Sequence, residues 1–475
     1  MRPSKPIGRR SVLRSGLAAA LGAALPLPLR QARAGDWLRL EPRPGTARFF
    51  GDGGPQTGVW GYNGAVPGPE IRVRQGDRLR VLVENQLPQE TTVHWHGLRI
   101  PHAMDGVPDL TQPAIKPGEA FRYEFQVPDA GTFWYHPHVR SSEQQGRGLY
   151  GVLVVEEPEP PAVDRDVIWV IDDWRLTEQS AISETFDHPH DLSHDGRLGN
   201  VATLNGLDSA AFAVRAGERL RLRIVNTANA RIFALRFEGH RPLVIALDGQ
   251  PATPHEPEDG RLVVPPAGRV DVILDMQGEP GGRYPVMDEF YPRRSYRYLD
   301  LVYDQAAPLR NSPLDAAVAL APNPIAEPNL AAAQRHDIVL AGGAMGGMRS
   351  AILDGQTMEI GELAGRGKVW ALNGIAAHGH VMEPLFTFRL GRTQVLSIRN
   401  ETAFPHPMHL HGHSFRLLTR NGNPVAGNPW LDTVLLAAED RVEVAFVADN
   451  PGDWLFHCHV LEHMQAGMSA VVRVA

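Results

Sequence analysis

The sequence predicts an all-β protein made of three similar domains, most economically Greek-key β-sandwiches. A chain of 475 residues is too long for one hydrophobic core, so two to four domains are expected. Its 47 glycines and 40 prolines separate short runs rich in valine and leucine, a composition typical of strands joined by turns. An internal repeat then indicates three domains.

Each copy of the repeat has a turn glycine, an alternating strand and a closing asparagine, and an Asn-Gly turn precedes it. The copies span residues 76–85, 217–226 and 391–400, and the Asn-Gly pairs lie at 63–64, 205–206 and 373–374. The predicted domains are residues 35–157, 158–310 and 336–475. The proline-rich segment 311–335 is interpreted as a linker that lets the third domain fold back onto the first.

Residues 1–34 are predicted to be a targeting segment. Arg9-Arg10 is typical of a twin-arginine signal, and Ala32-Arg33-Ala34 of a cleavage site. The apolar run 17–29 is too short and too broken by proline to span a membrane. A nucleic-acid-binding arm is the alternative, but the apolar run and the cleavage site fit it poorly. We therefore expect a periplasmic or otherwise exported protein.

The net charge points away from polyanionic partners. Removal of the targeting segment, with its seven basic residues and no acid, would change the net charge from −7 to −14. An acidic chain without a basic block gives no reason to expect nucleic acid or an anionic membrane surface as partner. No membrane span is expected, and a monomer is the predicted state.

Four His-x-His pairs occupy matching positions of the first and third repeats, whereas the middle repeat has Leu235 and Phe237 at the positions of one pair. On a strand, such a pair places both imidazoles on one face. One pair alone is usually a solvated strand face, but four at matched positions indicate a shared site. The pairs are His94 and His96, His136 and His138, His409 and His411, and His457 and His459.

Eight imidazoles are more than one metal ion can use, and they suit copper better than magnesium or calcium. We therefore predict a cluster of several copper ions at the interface of the first and third domains. The middle domain, having lost its histidines, would act as a spacer.

Cys458 is the single cysteine, so the chain can form neither an internal disulfide nor a multi-thiolate zinc site. One thiolate with imidazoles and a weak thioether is the ligand set of a blue copper site, and His463 and Met468 can supply an imidazole and the thioether. The neighbours His457 and His459 would point away from the cysteine face of an extended strand. An inert buried cysteine is the alternative.

These motifs resemble those of the three-domain multicopper oxidases, the family of laccases and cuprous oxidases, over essentially the whole chain after residue 34. The resemblance implies three cupredoxin-like domains and four copper ions. It implies a type 1 copper held by His406, Cys458 and His463 with Met468 axial, a type 2 copper held by His94 and His409, and two type 3 coppers held by His96, His136 and His459 and by His138, His411 and His457.

The resemblance also implies a mechanism. A small-molecule donor would give single electrons to the type 1 copper near His463, and these would pass through Cys458 to the cluster, where dioxygen is reduced to water. Asp105 stands where family members use a proton-relaying aspartate. The alternative is a turn-forming Asp before Gly106.

Two departures from relatives are informative. Met464 replaces a glutamate that many bacterial members use for proton delivery, but copper-resistance oxidases share this arrangement, so it does not settle the substrate. Cuprous oxidases commonly have an Asp and a Met just before the motif at His406, whereas residues 401–405 here contain one acid and no thioether. From this second departure we predict a laccase-like oxidase of phenols or aromatic amines. The alternatives are oxidation of Cu(I) and, from another class, a copper-free interaction protein.

Three other groups carry less weight. His188, His190 and His194 lie in an Asp-rich stretch and are interpreted as a solvated loop. His378, His380 and Met382 are either a loop or an auxiliary copper site. The segment 345–348 has too few methionines for a methionine-rich insert.

Overall fold

The computed structural model describes residues 37–380 and 382–475. It confirms the predicted all-β class, since strands dominate and form cupredoxin-like sandwich domains. The predicted targeting segment, residues 1–34, lies outside the described residues. Among the helices of the described residues, none has the length and apolar character needed to cross a bilayer.

The first domain packs a three-stranded sheet (order β1-β5-β7) against a four-stranded sheet (β4-β9-β8-β6), with β2 and β3 paired beside them. Alternation in β5 buries Leu79, Val81 and Val83 on the core face. The elements are β1 (Leu38–Leu40), β2 (Pro42–Ala47), β3 (Thr57–Tyr62), β4 (Ile71–Arg74), β5 (Arg78–Glu84), β6 (His94–His96), a 3-10 turn (His102–Met104), β7 (Ala120–Gln126), β8 (Gly131–His136), α1 (Ser141–Gly146) and β9 (Gly151–Glu156).

The middle domain packs a six-stranded sheet (β11-β10-β13-β18-β15-β16) on a five-stranded one (β12-β20-β19-β14-β17). Its elements are β10 (Arg165–Trp174), α2 (Pro189–Ser193), β11 (Val201–Leu204), β12 (Ala211–Val214), β13 (Arg219–Asn226), β14 (Phe233–Phe237), β15 (Leu243–Leu247), β16 (Gln250–His255), a 3-10 turn (Glu258–Gly260), β17 (Leu262–Val264), β18 (Arg269–Asp275), β19 (Arg283–Asp288), a 3-10 turn (Pro292–Arg294) and β20 (Tyr296–Tyr303).

Strand β13 is buried along its whole length although it alternates Arg with Leu and Ile. Its arginine face lies at the junction with the first domain, where the charges are paired. Arg221 contacts Asp271 at 2.7 Å, and Thr132 of the first domain donates to the same aspartate at 2.7 Å. Buried charges are tolerated when paired and hydrogen-bonded in this way.

The third domain has a large sheet (β24-β21-β26-β32-β28-β29, with β30 on β28), a five-stranded sheet (β25-β34-β33-β27-β31) and the β22–β23 pair. Its elements are a 3-10 turn (Leu330–Ala332), β21 (Gln334–Gly342), β22 (Ser350–Leu353), β23 (Gln356–Glu359), α3 (Ile360–Gly365), β24 (Trp370–Leu372), β25 (Phe386–Phe388), β26 (Thr393–Asn400), β27 (His406–Leu410), β28 (Phe415–Arg420), β29 (Asn423–Pro424), β30 (Trp430–Leu431), β31 (Thr433–Leu436), β32 (Arg441–Val447), β33 (Gly452–Cys458), α4 (Leu461–Gln465) and β34 (Ser469–Val474).

The closing asparagine of the repeat has the same structural role in all three domains. Asn85, Asn226 and Asn400 are all buried. Each side-chain amide donates to two backbone carbonyls, and each side-chain oxygen accepts from the backbone N–H two residues later. The asparagine therefore organises the bend after the strand, because it satisfies backbone groups that would otherwise be buried without partners.

The Asn-Gly turns also recur in space. Asn63, Asn205 and Asn373 and the glycines after them all have positive φ, which suits the tight turn that asparagine and glycine favour. The oxygen of each asparagine side chain accepts a hydrogen bond at 2.7 Å from a backbone N–H, that of Glu41 between β1 and β2, of Val170 in β10 or of Val339 in β21. The repeat seen in the sequence is thus a repeat of turn and strand geometry.

The segment between β20 and β21 ties the domains together. Within it, Asn323 exchanges hydrogen bonds with the backbone of Ala130 in the first domain at 2.8 and 2.9 Å and donates to Gln250 of the middle domain at 2.8 Å. The predicted linker therefore contacts both domains that it passes.

Candidate metal centre

Two strand pairs position the predicted ligands. In the first domain β6 pairs with β8 so that His94 faces His136. In the third domain β27 pairs with β33 so that His409 faces His457 and Met408 faces Cys458. The eight histidines of the four pairs are buried where these domains meet.

The rings from the two domains interleave. His94 of the first domain stacks on His411 of the third at 3.9 Å between ring centroids, and His96 stacks on His409 at 3.8 Å. The Nε2 atoms of His411 and His457 are 3.1 Å apart. Four groups in this cluster have potential ligand atoms within 4.8 Å of one another: His94, His409 and His411; His94, His96 and His136; His138, His411 and His457; and His96, His409 and Asp432.

Burial keeps seven of these imidazoles neutral, because an apolar interior disfavours the charged form. It lowers the pKa of His96, His136, His138, His409, His411, His457 and His459 below the ordinary value. Neutral imidazole is the form that binds metal.

Several ring nitrogens of the cluster are buried without a hydrogen-bond partner among the described residues. They are Nε2 of His94, His136 and His409, Nδ1 of His96, and both ring nitrogens of His138 and His459. Buried polar atoms are costly unless they are paired. A group of unpaired nitrogen donors that converge on one space therefore fits copper ions, which imidazole ligands suit.

Asp105 lies between two of the histidines. Its backbone carbonyl accepts a hydrogen bond from His94 Nδ1 at 2.8 Å, and its carboxylate accepts one from His411 Nδ1 at 2.9 Å. These contacts leave Nε2 of each ring facing the cluster. At Gly106, which has a φ of +85°, a Cβ would lie 1.9 Å from the Val93 carbonyl, so the aspartate also belongs to a tight turn.

Asp432 orients two further histidines and was missed by the sequence analysis. It accepts hydrogen bonds from His96 Nε2 at 3.1 Å and, through its carbonyl, from His409 Nδ1 at 2.9 Å. Such partners fix the tautomer and orientation of metal-binding histidines. The sequence signal that could have found it is an aspartate inside the apolar run 430–436.

The middle domain supplies the counter-charge for Asp432. Arg269 donates to both carboxylate oxygens, at 2.8 and 2.5 Å. Burial opposes ionisation of Asp432, but Arg269 more than offsets it, so the pKa of this carboxyl lies below the usual range. Nearby, burial and then the charge of Asp432 raise the pKa of Asp248 to about 7. The middle domain thus contributes side chains next to the cluster.

A second site lies around the cysteine. The Cys458 Sγ is 3.5 Å from His406 Nδ1 and 3.7 Å from His463 Nδ1, and the two nitrogens are 3.1 Å apart. All three residues are completely buried, and Met468 is buried with them. The backbone of Met468 bonds to Cys458 N and His463 O, which keeps its side chain in this region. Thiolate, two imidazoles and a nearby thioether fit a blue copper ion.

The outer nitrogens of the two imidazoles are held by other segments. Thr402 Oγ1 is 2.8 Å from His406 Nε2, and His463 Nε2 donates to the backbone carbonyl of His194 at 2.5 Å. Burial lowers the pKa of His463 to about 3, so it too is neutral. His194 comes from the middle domain, in the stretch interpreted from sequence as a solvated loop. The structure instead places His194 over His463, whereas His188 and His190 are exposed as that interpretation expected.

The other candidates lie apart. His378 Nδ1 contacts the carboxylate of Asp354 at 2.9 Å, whereas His380 Nε2 donates to the carbonyl of His138 at 3.2 Å, so these two histidines face different partners. Met464 lines a cavity of about 320 Å³ next to His138.

Comparison with known proteins supports this architecture. Three family models, each described as multicopper oxidase, match residues 46–160, 165–299 and 357–475. The multicopper oxidase MmcO of Mycobacterium tuberculosis is 31% identical over 90% of this chain and 85% of its own length. Laccase-2 of Fomitopsis schrenkii is 31% identical over 87% of this chain and 85% of its own.

Among solved structures, a multi-copper oxidase from Pseudomonas thermotolerans is 32% identical with a TM-score of 0.81, covering 93% of this chain and 99% of that one. Family members bind copper and use small-molecule substrates and dioxygen. The matches cover all three sandwiches and both histidine-rich centres. The chain therefore belongs to the multicopper oxidase family and is an oxidoreductase.

Proposed function

We propose that the chain is an exported, laccase-like oxidase that couples one-electron oxidation of phenols or aromatic amines to four-electron reduction of dioxygen to water. The observation that supports this best is the position of Cys458. Its Sγ meets ring nitrogens of His406 and His463, while the residues on either side of it, His457 and His459, belong to the eight-histidine cluster. One short strand end therefore joins a donor-side site to a dioxygen-side site.

We assign four copper ions to these residues. Copper bound there would supply one-electron redox chemistry at the cysteine site and dioxygen reduction at the cluster. The residues that would hold it are His406, Cys458 and His463 with Met468 nearby; His94 and His409; His96, His136 and His459; and His138, His411 and His457. The chain buries these imidazoles and excludes bulk water from them.

Reduction of one dioxygen to two waters consumes four protons, which have to reach a buried site. Asp105 is 1% exposed and contacts the Nδ1 atoms of His94 and His411 at 3.2 and 2.9 Å. We propose that its carboxylate receives protons from solvent and passes them toward the cluster. Met464 cannot share this task because a thioether carries no exchangeable proton.

The segment next to the cysteine site favours an organic substrate over a soft metal ion. The segment before His406 contributes a threonine hydroxyl and the buried ring of Phe404, and it offers no thioether to a soft metal ion.

The closure of the donor side at His463 applies to either donor, a phenol or Cu(I). His463 is 0% exposed and its Nε2–H is already bonded to His194, so neither donor can touch this imidazole unless His194 moves. A donor that delivers its electron through His194 needs no such movement.

Oxygen uptake by the copper-loaded chain tests the proposal. With a methoxyphenol as donor, we expect one dioxygen consumed for four electrons and no peroxide released. The same assay with Cu(I) ranks the two donors. A blue protein that consumes no oxygen with either donor would refute the proposed activity. Export is tested separately by cell fractionation, in which replacing Arg9 and Arg10 with Lys should retain the chain in the cytoplasm.

A further inference from the structure

The three domains meet at one guanidinium group, that of Arg269. This residue begins β18 of the middle domain and is buried. Its Nε donates to the carbonyl of Thr132 in the first domain at 3.2 Å, and Nη1 and Nη2 each donate to the carboxylate of Asp432 in the third domain. The two remaining N–H groups donate to the backbone carbonyls of Ala267 and Asp248 at 3.2 and 2.9 Å. All five N–H donors of this side chain therefore have acceptors, and the acceptors come from all three domains.

Gly97 makes room for the ion pair of Arg269 with Asp432. It directly follows His96 and has a φ of +85°. A Cβ at this position would lie 2.3 Å from Nη2 of Arg269 and 2.5 Å from Oδ2 of Asp432. Any side chain here would displace the buried pair, so the backbone that carries His96 is fitted around it.

Asp432 connects the arginine to two histidines of the cluster. Its carboxylate accepts from His96 Nε2 at 3.1 Å, and its backbone carbonyl accepts from His409 Nδ1 at 2.9 Å. These bonds leave Nδ1 of His96 and Nε2 of His409 buried without a hydrogen-bond partner among the described residues. The two rings are also stacked at 3.8 Å between centroids. One aspartate therefore determines which nitrogen of each ring is free to bind a metal ion.

The middle domain holds Asp432 at its backbone as well as at its side chain. The carboxylate of Asp248 accepts the backbone N–H groups of Asp432 and Thr433 at 3.2 and 3.1 Å. If Arg269 were removed, the Asp432 carboxylate would be a buried charge without its counter-charge, next to a second acid. Such a charge is costly, so we expect the side chain to leave the position in which it accepts from His96.

We propose that Arg269 is a positioning residue for the copper ion assigned to His94 and His409, and that it acts through Asp432. This inference rests on the proposed function, because it needs that copper assignment. An ion held by two imidazoles of the chain depends more on the orientation of each than an ion held by three. The middle domain, which the sequence predicted to be a spacer, thereby helps to hold the cluster.

The test compares Arg269→Gln with Arg221→Gln in the copper-loaded full-length chain. Arg221 is the matched control, because it is another buried arginine of the same sheet and bonds to Asp271 and Glu157. Chelator competition gives the copper affinity, electron paramagnetic resonance reports the type 2 ion, and blue absorption reports the cysteine site. We expect Arg269→Gln to bind the type 2 ion about tenfold to a hundredfold less tightly while its blue absorption is unchanged. Arg221→Gln should match the parent in both measurements.

A double variant tests whether Arg269 acts through Asp432. Asp432→Asn removes the charge that the guanidinium binds, so the double variant should lose no more copper affinity than the weaker-binding single variant. Arg269→Lys keeps the positive charge but not the two-pronged hydrogen bonding. It should show a smaller loss of the same ion, and it carries the test if Arg269→Gln does not fold.

Three results would overturn the proposal: parent affinity for the type 2 ion in Arg269→Gln, an equal loss in Arg221→Gln, or additive losses in the double variant. If instead the parent itself binds fewer than four copper ions, the proposed copper assignment has failed, and with it the proposed function.

Discussion

At the scale of single residues, Cys458 determines what the donor-side site can be. Its Sγ lies within 3.7 Å of both imidazole nitrogens, and burial raises the pKa of its thiol above the ordinary value. A buried thiol of this kind would stay protonated without a metal ion, and under our proposal a bound copper ion would deprotonate it.

Replacing Cys458 with Ser should abolish the blue colour, since charge transfer from thiolate to copper is its source. The eight-histidine cluster is untouched by the change, so three of the four expected copper ions should remain. Visible absorption and copper content by atomic emission check both parts. A Cys458→Ser protein that is still blue would refute the assignment of the thiolate as a ligand.

Asp105 has two possible roles that one substitution separates. Asn keeps the size, the turn preference and an oxygen that can accept the His411 Nδ1 hydrogen bond, but it cannot exchange a proton. We expect Asp105→Asn to bind copper and to be bleached by donor without oxygen. Its reoxidation by dioxygen should be slower by about a hundredfold, the usual contribution of a positioned acid or base. If stopped-flow measurements show reoxidation at the parent rate, Asp105 has only its structural role in the turn before Gly106.

At the scale of elements, the repeated strand-and-asparagine unit is the part of each domain that the sequence describes best. Its turn, strand and closing residue are contiguous, so local geometry is sufficient to specify them. The unit in the middle domain is preserved although that domain has lost the histidine pairs, which shows that the asparagine serves folding.

The replacement Asn226→Ala should therefore destabilise the chain without touching the metal sites. It leaves the carbonyls of Arg231 and Val264 and the N–H of Ala228 buried without their partner. We expect a loss of about 2–5 kcal/mol in the free energy of unfolding, since each unsatisfied buried group costs about 1–3 kcal/mol. Urea unfolding followed by tryptophan fluorescence measures it. The exposed Asn311→Ala should change stability by less than about 0.5 kcal/mol, and equal effects would contradict the assigned role.

At the scale of the whole molecule, the middle domain is joined to both neighbours by buried polar contacts. On the side of the first domain, Tyr150 donates to the carboxyl group of Asp172 at 2.5 Å. Burial raises the pKa of Asp172 well above its ordinary value. The folded chain therefore holds a proton here that the unfolded chain releases above a pKa of about 3.9.

This contact predicts a pH dependence of stability. Between the unfolded and the raised folded pKa the native state binds more protons, so stability falls as pH rises, by about 1.4 kcal/mol per pH unit from this group. Asp172→Asn cannot ionise and keeps an acceptor for Tyr150. We expect its stability to fall less than that of the parent between about pH 5 and about pH 8, as measured by urea unfolding. The exposed Asp315→Asn serves as control. Parallel pH profiles for Asp172→Asn and the parent would contradict the prediction.

The sequence by itself determined the all-β class, the threefold repeat and the four His-x-His pairs, because periodicity and order along the chain are enough to state them. The four His-x-His pairs share a face because strands alternate, and the neighbours of Cys458 diverge from it for the same reason.

Tertiary structure decided which distant residues hydrogen-bond to the candidate ligands and hold them in place. The ion pair of Arg269 with Asp432 joins residues 163 positions apart, and the bond from His463 to His194 spans 269 positions. No local pattern records such contacts, because they depend on how one domain docks on another. The middle domain carries none of the predicted copper ligands. Because it docks on its neighbours, it nevertheless supplies the counter-charge of Arg269 and the residue that covers His463.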